Sequence, residues 1–123
     1  MNQKIILIVD DHTELRKLVR MTLECDGYEL HEAKNGQRAL ELAKLIKPDL
    51  VILDVMMPGD IDGFQLCNNL KQDGSEKIPY VMLLTAKKQM TDFKDGIRAG
   101  ADNYLTKPFS PSELIDSVQS ALA

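Results

Sequence analysis

The feature that most constrains the fold is a set of short apolar runs that end in polar residues. At the centre of the chain, residues 50–53 are all apolar, Asp54 follows them, and Pro48 and Pro58 bound the segment. An uninterrupted apolar run of this length indicates a strand that is buried on both faces. Asp54 is therefore predicted at the end of a core strand. A carboxylate there loses hydration and needs a cation, hydrogen bonds or a chemical role to stabilise it.

Similar runs recur along the chain. Four further segments are predicted to be strands, three of them with polar residues directly after: Ile5–Val9 before Asp10 and Asp11, residues 28–33, residues 80–84 before Thr85, and residues 103–106 before Lys107. Helical periodicity follows each strand, after Thr13, after Asn35, after Gly63, across residues 90–97 and after Ser110. Thr13 and Asn35 are expected to cap their helices, and Ser110 with Pro111 and Glu113 predicts a capping box. In the first helix the apolar positions are predicted to share one face and the basic residues the other: Leu15, Leu18, Val19, Thr22 and Leu23 against Arg16, Lys17 and Arg20.

The alternation of strands and helices predicts an open α/β sandwich. Connections of this length require parallel pairing with right-handed crossovers, which places helices on both faces of the sheet. In such sheets ligands bind outside the carboxyl ends of the strands. The polar residues at those ends are expected to gather at one edge: Asp10, Asp11, Asp54, Thr85 and Lys107.

Length and charge narrow the functional classes. The 123 residues suffice for one domain with its own core, so residues 1–123 are predicted to form a single unit. The 15 basic and 19 acidic residues give a net charge of -4, which argues against general binding to nucleic acid or anionic membranes. No apolar run approaches the roughly 18 residues of a membrane-spanning helix. We therefore expect a soluble, cytoplasmic domain.

The carboxylates at the predicted edge indicate a specific chemistry. Three carboxylates close together repel each other, and such a group recruits a cation or raises one pKa. Oxygen ligation with retained waters suits Mg²⁺, for which Asp10 and Asp11 are the natural ligands. With its charge offset by the metal and by Lys107, Asp54 can act as a nucleophile toward phosphorus. Thr85 can donate a hydrogen bond to the resulting phosphate.

These motifs, taken together, resemble those of a known family. The sequence is similar, over its whole length, to the receiver domains of two-component response regulators, the CheY-like family. The resemblance is carried by four elements in family order: Asp10-Asp11 after the first strand, Asp54 with Met57-Pro58, Thr85-Ala86 after the fourth strand, and Tyr104 with Lys107-Pro108.

The resemblance implies a (βα)5 doubly wound parallel five-stranded sheet, flavodoxin-like or CheY-like, with strand order 2-1-3-4-5. It also implies that Asp54 is the phosphoacceptor for a phosphohistidine on a sensor histidine kinase or a histidine phosphotransfer protein. Asp10, Asp11, Asp54 and the backbone carbonyl of Met56 would surround Mg²⁺.

Other roles follow from the same resemblance. Lys107 would contact the phosphoryl group, and Thr85 and Tyr104 would move together as the switch. The peptide bond between Lys107 and Pro108 would be cis. The protein would be a signalling switch and not an enzyme. It would bind a downstream target through the fourth predicted helix, the fifth strand and the fifth helix, a face that also allows a homodimer. A free-standing receiver and a piece of a longer regulator with an effector domain both remain open.

Three other functions fit the sequence less well. A Mg²⁺-dependent phosphatase of the haloacid-dehalogenase type would have a second acid where His12 stands. A flavin-binding module would need a glycine- and hydroxyl-rich phosphate loop in place of the acidic Asp10-Asp11 segment. An adaptor that never takes phosphate should lack part of the pocket.

Several residues receive simpler interpretations. His12 is expected to be a solvated loop residue, and His31 has no identifiable ligand partner. Cys25 and Cys67 are too far apart in sequence for a metal or redox motif and are expected to be reduced thiols. A basic cluster is interpreted as a solvated helix face rather than a docking surface: Lys87, Lys88, Lys94 and Arg98.

Overall fold

The computed structural model describes residues 3–55, 61–72, 77–86 and 100–123. The helices and strands of these residues follow one another in this order: β1 (Ile5–Val9), α1 (Thr13–Leu23), β2 (Glu29–Ala33), α2 (Gly36–Ile46), β3 (Leu50–Asp54), α3 (Gly63–Lys71), β4 (Tyr80–Ala86), β5 (Asn103–Lys107) and α4 (Pro111–Leu122). A short 3-10 turn, Glu24–Asp26, follows α1. The helix predicted across residues 90–97 and the basic cluster from Lys87 to Arg98 lie outside the described residues.

The five strands form one parallel sheet in the order β2-β1-β3-β4-β5, which confirms the predicted fold and strand order. After β1 the chain moves outward to β2 and then returns to place β3 on the other side of β1. The point of reversal therefore lies between β1 and β3, where doubly wound sheets bind their ligands.

Alternate strand residues supply two separate cores. On one face Leu7, Val51 and Leu83 pack with residues of α2 and α3, such as Leu66. On the other face the alternate strand residues pack with residues of α1 and α4, such as Val118. Because successive strand side chains point to opposite faces, central strands of this kind are apolar at every position. This is why the predicted apolar runs coincide with β1 and β3.

Two of the predicted helix starts are confirmed. The Asn35 side chain accepts a hydrogen bond from the Arg38 N–H at 2.8 Å. Ser110 and Glu113 form the expected capping box, with distances of 3.1 and 3.2 Å. A second capping box, formed by Asp62 and Gln65 at the start of α3, was not predicted.

Two expectations about α1 are wrong. The N-cap is His12 and not Thr13, because the Arg16 N–H already bonds to the His12 carbonyl at 3.1 Å and closes the first turn one residue early. Leu18, expected in the buried stripe, is 52% exposed. The stripe is centred on Val19 and Leu23, which are four residues apart, and Leu18 lies at its edge.

Candidate functional site

The register of the sheet brings the predicted polar residues to one edge. Val9 pairs with Leu53, and an aspartate follows each of them, so Asp10 and Asp54 lie at neighbouring strand ends. Asp54 in turn pairs with Leu84, the residue before Thr85. Ala86 of β4 pairs with Lys107 at the end of β5. The gathering expected from the strand ends is therefore observed.

Three carboxylates form a compact cluster at the β1/β3 reversal point. One oxygen each of Asp10, Asp11 and Asp54, together with a ring nitrogen of His12, lie within 4.8 Å of one another. Asp10 is 1% exposed and Asp54 is 3% exposed. Carboxylates that are this close and this buried are unfavourable unless positive charge offsets them.

Lys107 provides part of that positive charge. Its Nζ lies 3.2 Å from Oδ1 of Asp54, and the lysine side chain is 30% exposed. Lys107 ends β5, two strands away from β3, so its long side chain reaches across the end of β4. The peptide bond that follows, between Lys107 and Pro108, is cis as expected.

Asp10 is buried and hydrogen-bonded to the backbone. Its Oδ1 accepts the backbone N–H of His12 at 2.8 Å. Burial raises the pKa of Asp10 above its ordinary value and the negative charge of Asp54 adds to this, while the hydrogen bond from His12 and the charge of Lys107 act in the opposite direction. The surroundings of Asp10 therefore disfavour its charged form in the absence of a cation.

Two buried carboxylate oxygens indicate where a cation would bind. Among the described residues, Asp10 Oδ2 and Asp11 Oδ1 have no hydrogen-bond partner. Buried polar atoms are almost always satisfied, so unsatisfied acceptors on two adjacent acids need an explanation. A ligand set made of carboxylate oxygens fits a hard divalent ion such as Mg²⁺.

His12 has the predicted exposure but an unpredicted contact. Its side chain is 70% exposed, and Nδ1 nevertheless lies 3.2 Å from both Asp10 Oδ1 and Asp11 Oδ1. Only the contact with Asp10 Oδ1 has the geometry of a hydrogen bond, so Asp11 Oδ1 still lacks one. His31, by contrast, bonds through Nε2 to Glu29 at 2.8 Å and is not part of the carboxylate cluster.

Thr85 and Tyr104 lie on the same face of the sheet. Thr85 is 7% exposed and stands two residues after Leu83, so both side chains point to one side. Leu83 pairs with Tyr104, which packs against the core formed with α2 and α3. The two residues predicted as the switch therefore share one face of neighbouring strands. Met56, predicted as a metal ligand through its carbonyl, lies outside the described residues.

Gly63 lets α3 begin directly behind the phosphoacceptor candidate. A Cβ at this position would lie 2.5 Å from the Asp54 carbonyl oxygen and 2.7 Å from the Val55 Cα. The Gly63 N–H donates to the Val55 carbonyl at 3.3 Å. A larger residue would have to displace the end of β3, and with it Asp54.

Arg16 was predicted only as a residue of the polar face of α1, and its contact with the site was not. The Arg16 side chain is 14% exposed, and its Nη1 donates to the Asp10 carbonyl oxygen at 2.6 Å. Helical periodicity gives no signal for this contact, because it reports the face of a helix and not the partner across the chain. Arg16 and Glu32 also line an open cavity of about 440 Å³ whose lining includes none of the three clustered aspartates.

A doubly wound parallel sheet with clustered carboxylates at its reversal point defines a CheY-like α/β domain. The family model of the response regulator receiver domain matches residues 6–119, and the chain belongs to this family. It is 42% identical, over 117 residues and 95% of its length, to the transcriptional regulatory protein SrrA of Staphylococcus aureus (strain NCTC 8325 / PS 47). The chain spans 47% of that relative, about half of its length.

Solved structures agree with this assignment. The chemotaxis protein CheY4 of Vibrio cholerae matches with a TM-score of 0.89 and 31% identity, over 98% of this chain and 99% of that one. The receiver domain of NtrX from Brucella abortus matches with a TM-score of 0.87 and 31% identity, over 95% and 97%. These matches favour the receiver domain over the phosphatase and the flavin module.

Receiver domains are signalling domains rather than enzymes in the usual sense. Within the described part of the chain, no helix is both long enough and apolar enough to cross a membrane.

Proposed function

We propose that residues 1–123 form a single receiver domain whose Asp54 accepts a phosphoryl group from a phosphohistidine. The donor is a sensor histidine kinase or a histidine phosphotransfer protein. The observation that carries this proposal is the setting of Asp54, a carboxylate 3% exposed at the reversal point of the sheet, with the Lys107 ammonium 3.2 Å away. Family membership supports it.

Asp10, Asp11 and Asp54 would hold Mg²⁺, and the Met56 carbonyl is a further ligand implied by the family. The unsatisfied oxygens of Asp10 and Asp11 support this assignment. When bound, the ion supplies positive charge that offsets the charge on the oxygens of the transferring phosphoryl group.

The side chains carry out the transfer by position and charge. A bond forms between an Asp54 oxygen and phosphorus while the bond from phosphorus to the donor histidine nitrogen breaks, and its electron pair returns to that nitrogen. Lys107 offsets charge on the phosphoryl oxygens from the β5 side. Thr85, at the end of β4, would donate its hydroxyl hydrogen to a phosphoryl oxygen.

The response to phosphorylation would pass through Thr85 and Tyr104. A shift of Thr85 toward the phosphate would vacate space on the face that it shares with Tyr104, and the ring would follow. The output surface would be the fourth predicted helix, which lies outside the described residues, together with β5 and α4. A homodimer through this surface is part of the same proposal.

The output would be a downstream target protein or an effector domain outside this sequence. The relative SrrA is a transcriptional regulatory protein about twice as long as the matched region. Where the output is an effector domain, that domain and not the receiver would contact nucleic acid. A cytoplasmic location remains a prediction.

The test is incubation with acetyl phosphate and Mg²⁺, followed by intact mass measurement. We expect one phosphoryl adduct in the wild-type chain and none in Asp54→Ala, because the nucleophile is absent. Asp62→Ala is the matched control, since Asp62 is an exposed acid that caps α3, and it should keep the adduct. An adduct that persists in Asp54→Ala would overturn the assignment. No adduct in the wild type would favour the adaptor that never takes phosphate.

A further inference from the structure

We propose that Arg16 is a positioning residue that fixes the peptide group between Asp10 and Asp11 and thereby sets the affinity of the site for a divalent cation. This inference rests on the proposed function, in which Asp10 and Asp11 are metal ligands. Among the described residues Arg16 contacts Glu32, Thr13 and the Asp10 carbonyl but no carboxylate of the cluster, so it would act through the backbone.

Both backbone polar groups of Asp10 are held by other parts of the fold. The Asp10 N–H donates to the Ala33 carbonyl oxygen of β2 at 3.2 Å. The Asp10 carbonyl accepts Nη1 of Arg16 at 2.6 Å. Hydrogen bonds from charged donors are shorter and stronger than those between neutral groups, so the second contact is a firm restraint.

Arg16 is in turn held by β2. Its Nε lies 3.1 Å from Glu32 Oε1, and the residue after Glu32 is Ala33. Two successive residues of β2 therefore support the two sides of Asp10, one directly and one through Arg16. Arg20 also pairs with Glu32, at 3.0 Å from Oε2, and its Nε lies 3.8 Å from Glu24. Within the described ranges it has no contact with Asp10.

The peptide plane determines the direction in which the Asp11 side chain leaves the backbone. The Asp10 carbonyl belongs to the peptide group that carries the Asp11 nitrogen, so holding this carbonyl limits rotation on both sides of it. Asp11 Oδ1 is buried without a hydrogen-bond partner among the described residues. Among the described residues its one close polar neighbour is the exposed His12 ring, with Nδ1 3.2 Å away, so the backbone has a large part in fixing its place in the cluster. A ligand that is already in position binds a cation with less loss of conformational freedom.

Charge alone predicts the opposite effect. A guanidinium near the carboxylate cluster repels a divalent cation, so its removal should tighten cation binding if Arg16 acted only through its charge. If Arg16 acts by positioning, its removal should weaken binding. The sign of the change therefore separates the two explanations.

The experiment is calorimetric titration of the unphosphorylated full chain with Mg²⁺ at fixed ionic strength. We expect Arg16→Ala to weaken Mg²⁺ binding about tenfold, the scale of losses when groups that orient metal ligands are removed. Arg16→Lys keeps the charge but not the guanidinium group that bonds to both Glu32 and the Asp10 carbonyl. Its affinity for Mg²⁺ should therefore lie between those of the wild type and Arg16→Ala. Arg20→Ala is the matched control and should stay within about twofold of the wild type, because Arg20 shares Glu32 without touching Asp10.

Three outcomes would overturn the inference. The first is unchanged or tighter binding in Arg16→Ala. The second is a loss in Arg20→Ala as large as that in Arg16→Ala, which would indicate a general effect of the ion-pair network. The third applies if circular dichroism shows that Arg16→Ala is unfolded. In that case, an affinity of Arg16→Lys for Mg²⁺ equal to that of the wild type would overturn the inference. A wild-type chain that binds no Mg²⁺ would instead contradict the metal site of the proposed function.

Discussion

Burial separates two cysteines that look alike in the sequence. Cys25 is exposed, whereas Cys67 is buried in the core between the sheet and α2 and α3. Burial raises the pKa of the Cys67 thiol to about 11. The thiolate is the reactive form, so Cys67 is protected both by its pKa and by the surrounding core.

We therefore expect a thiol reagent such as Ellman's reagent to titrate one thiol in the folded chain at pH 8 and two in guanidinium. Cys25→Ser should abolish the reaction of the folded chain, and Cys67→Ser should leave it unchanged. Two thiols that react at similar rates in the folded chain would contradict the burial of Cys67.

A single acid joins the beginnings of three strands. Asp49 Oδ2 accepts the Ile5 N–H at the start of β1 at 2.8 Å, and its backbone carbonyl accepts the Tyr80 N–H at the start of β4 at 3.0 Å. Lys77 Nζ lies 2.9 Å from the other carboxylate oxygen. Asp49 directly precedes β3, so the amino ends of β1, β3 and β4 are held at one point. This end of the sheet is opposite the carboxylate cluster.

The pKa of Asp49 predicts a pH-dependent contribution to stability. Burial raises this pKa, but the Ile5 hydrogen bond and the charge of Lys77 outweigh it, so the pKa is lower than that of the unfolded chain. A lowered carboxyl pKa stabilises the folded state above the unfolded value and loses this effect as the pH falls through the folded value. Asp49→Asn should therefore reduce the free energy of unfolding by about 1 kcal/mol at pH 7 and by less below about pH 4.

Urea unfolding at pH 7, 5 and 3.5 measures this difference. Asp116→Asn, an exposed acid in α4, is the control and should change the free energy of unfolding by less than about 0.5 kcal/mol at each pH. A difference for Asp49→Asn that is equally large at pH 3.5 would contradict the assigned pKa shift.

Cation binding connects the site to the stability of the whole molecule. The three acids come from the ends of β1 and β3 and are adjacent only when the sheet has formed. A ligand that binds only the folded chain stabilises it by about 2.7 kcal/mol at a hundred times its dissociation constant.

We expect Mg²⁺ at a hundred times its dissociation constant to raise the urea concentration at which half of the wild-type chain is unfolded. The reference is sodium chloride of equal ionic strength. Asp11→Ala should lose most of this increase, because it removes an unsatisfied buried oxygen from the cluster. His12→Ala should keep it, since the ring is largely exposed and can turn away. An equal increase in Asp11→Ala would show that the effect does not come from this site.

Much of the fold could be predicted because its signals are local. The apolar run of β1 is continuous, and its predicted bounds match the structure at both ends. The Ser110 capping box is encoded within four residues, and it too is present. The strand order was predicted from the family resemblance and not from periodicity. A hydrophobic run indicates that a strand is buried, but it does not indicate which strand pairs with it.

The sequence by itself determined the two-sided core strands and the presence of Asp10, Asp54 and Lys107 at one edge, because parallel strands all end on the same side. Only the tertiary structure decided what holds that edge in place. Arg16 contacts Glu32, 16 positions further along the sequence, because β2 pairs with β1 and α1 lies close to both. Such contacts depend on the packing of elements that are distant in the chain, and local residue patterns carry no record of that packing.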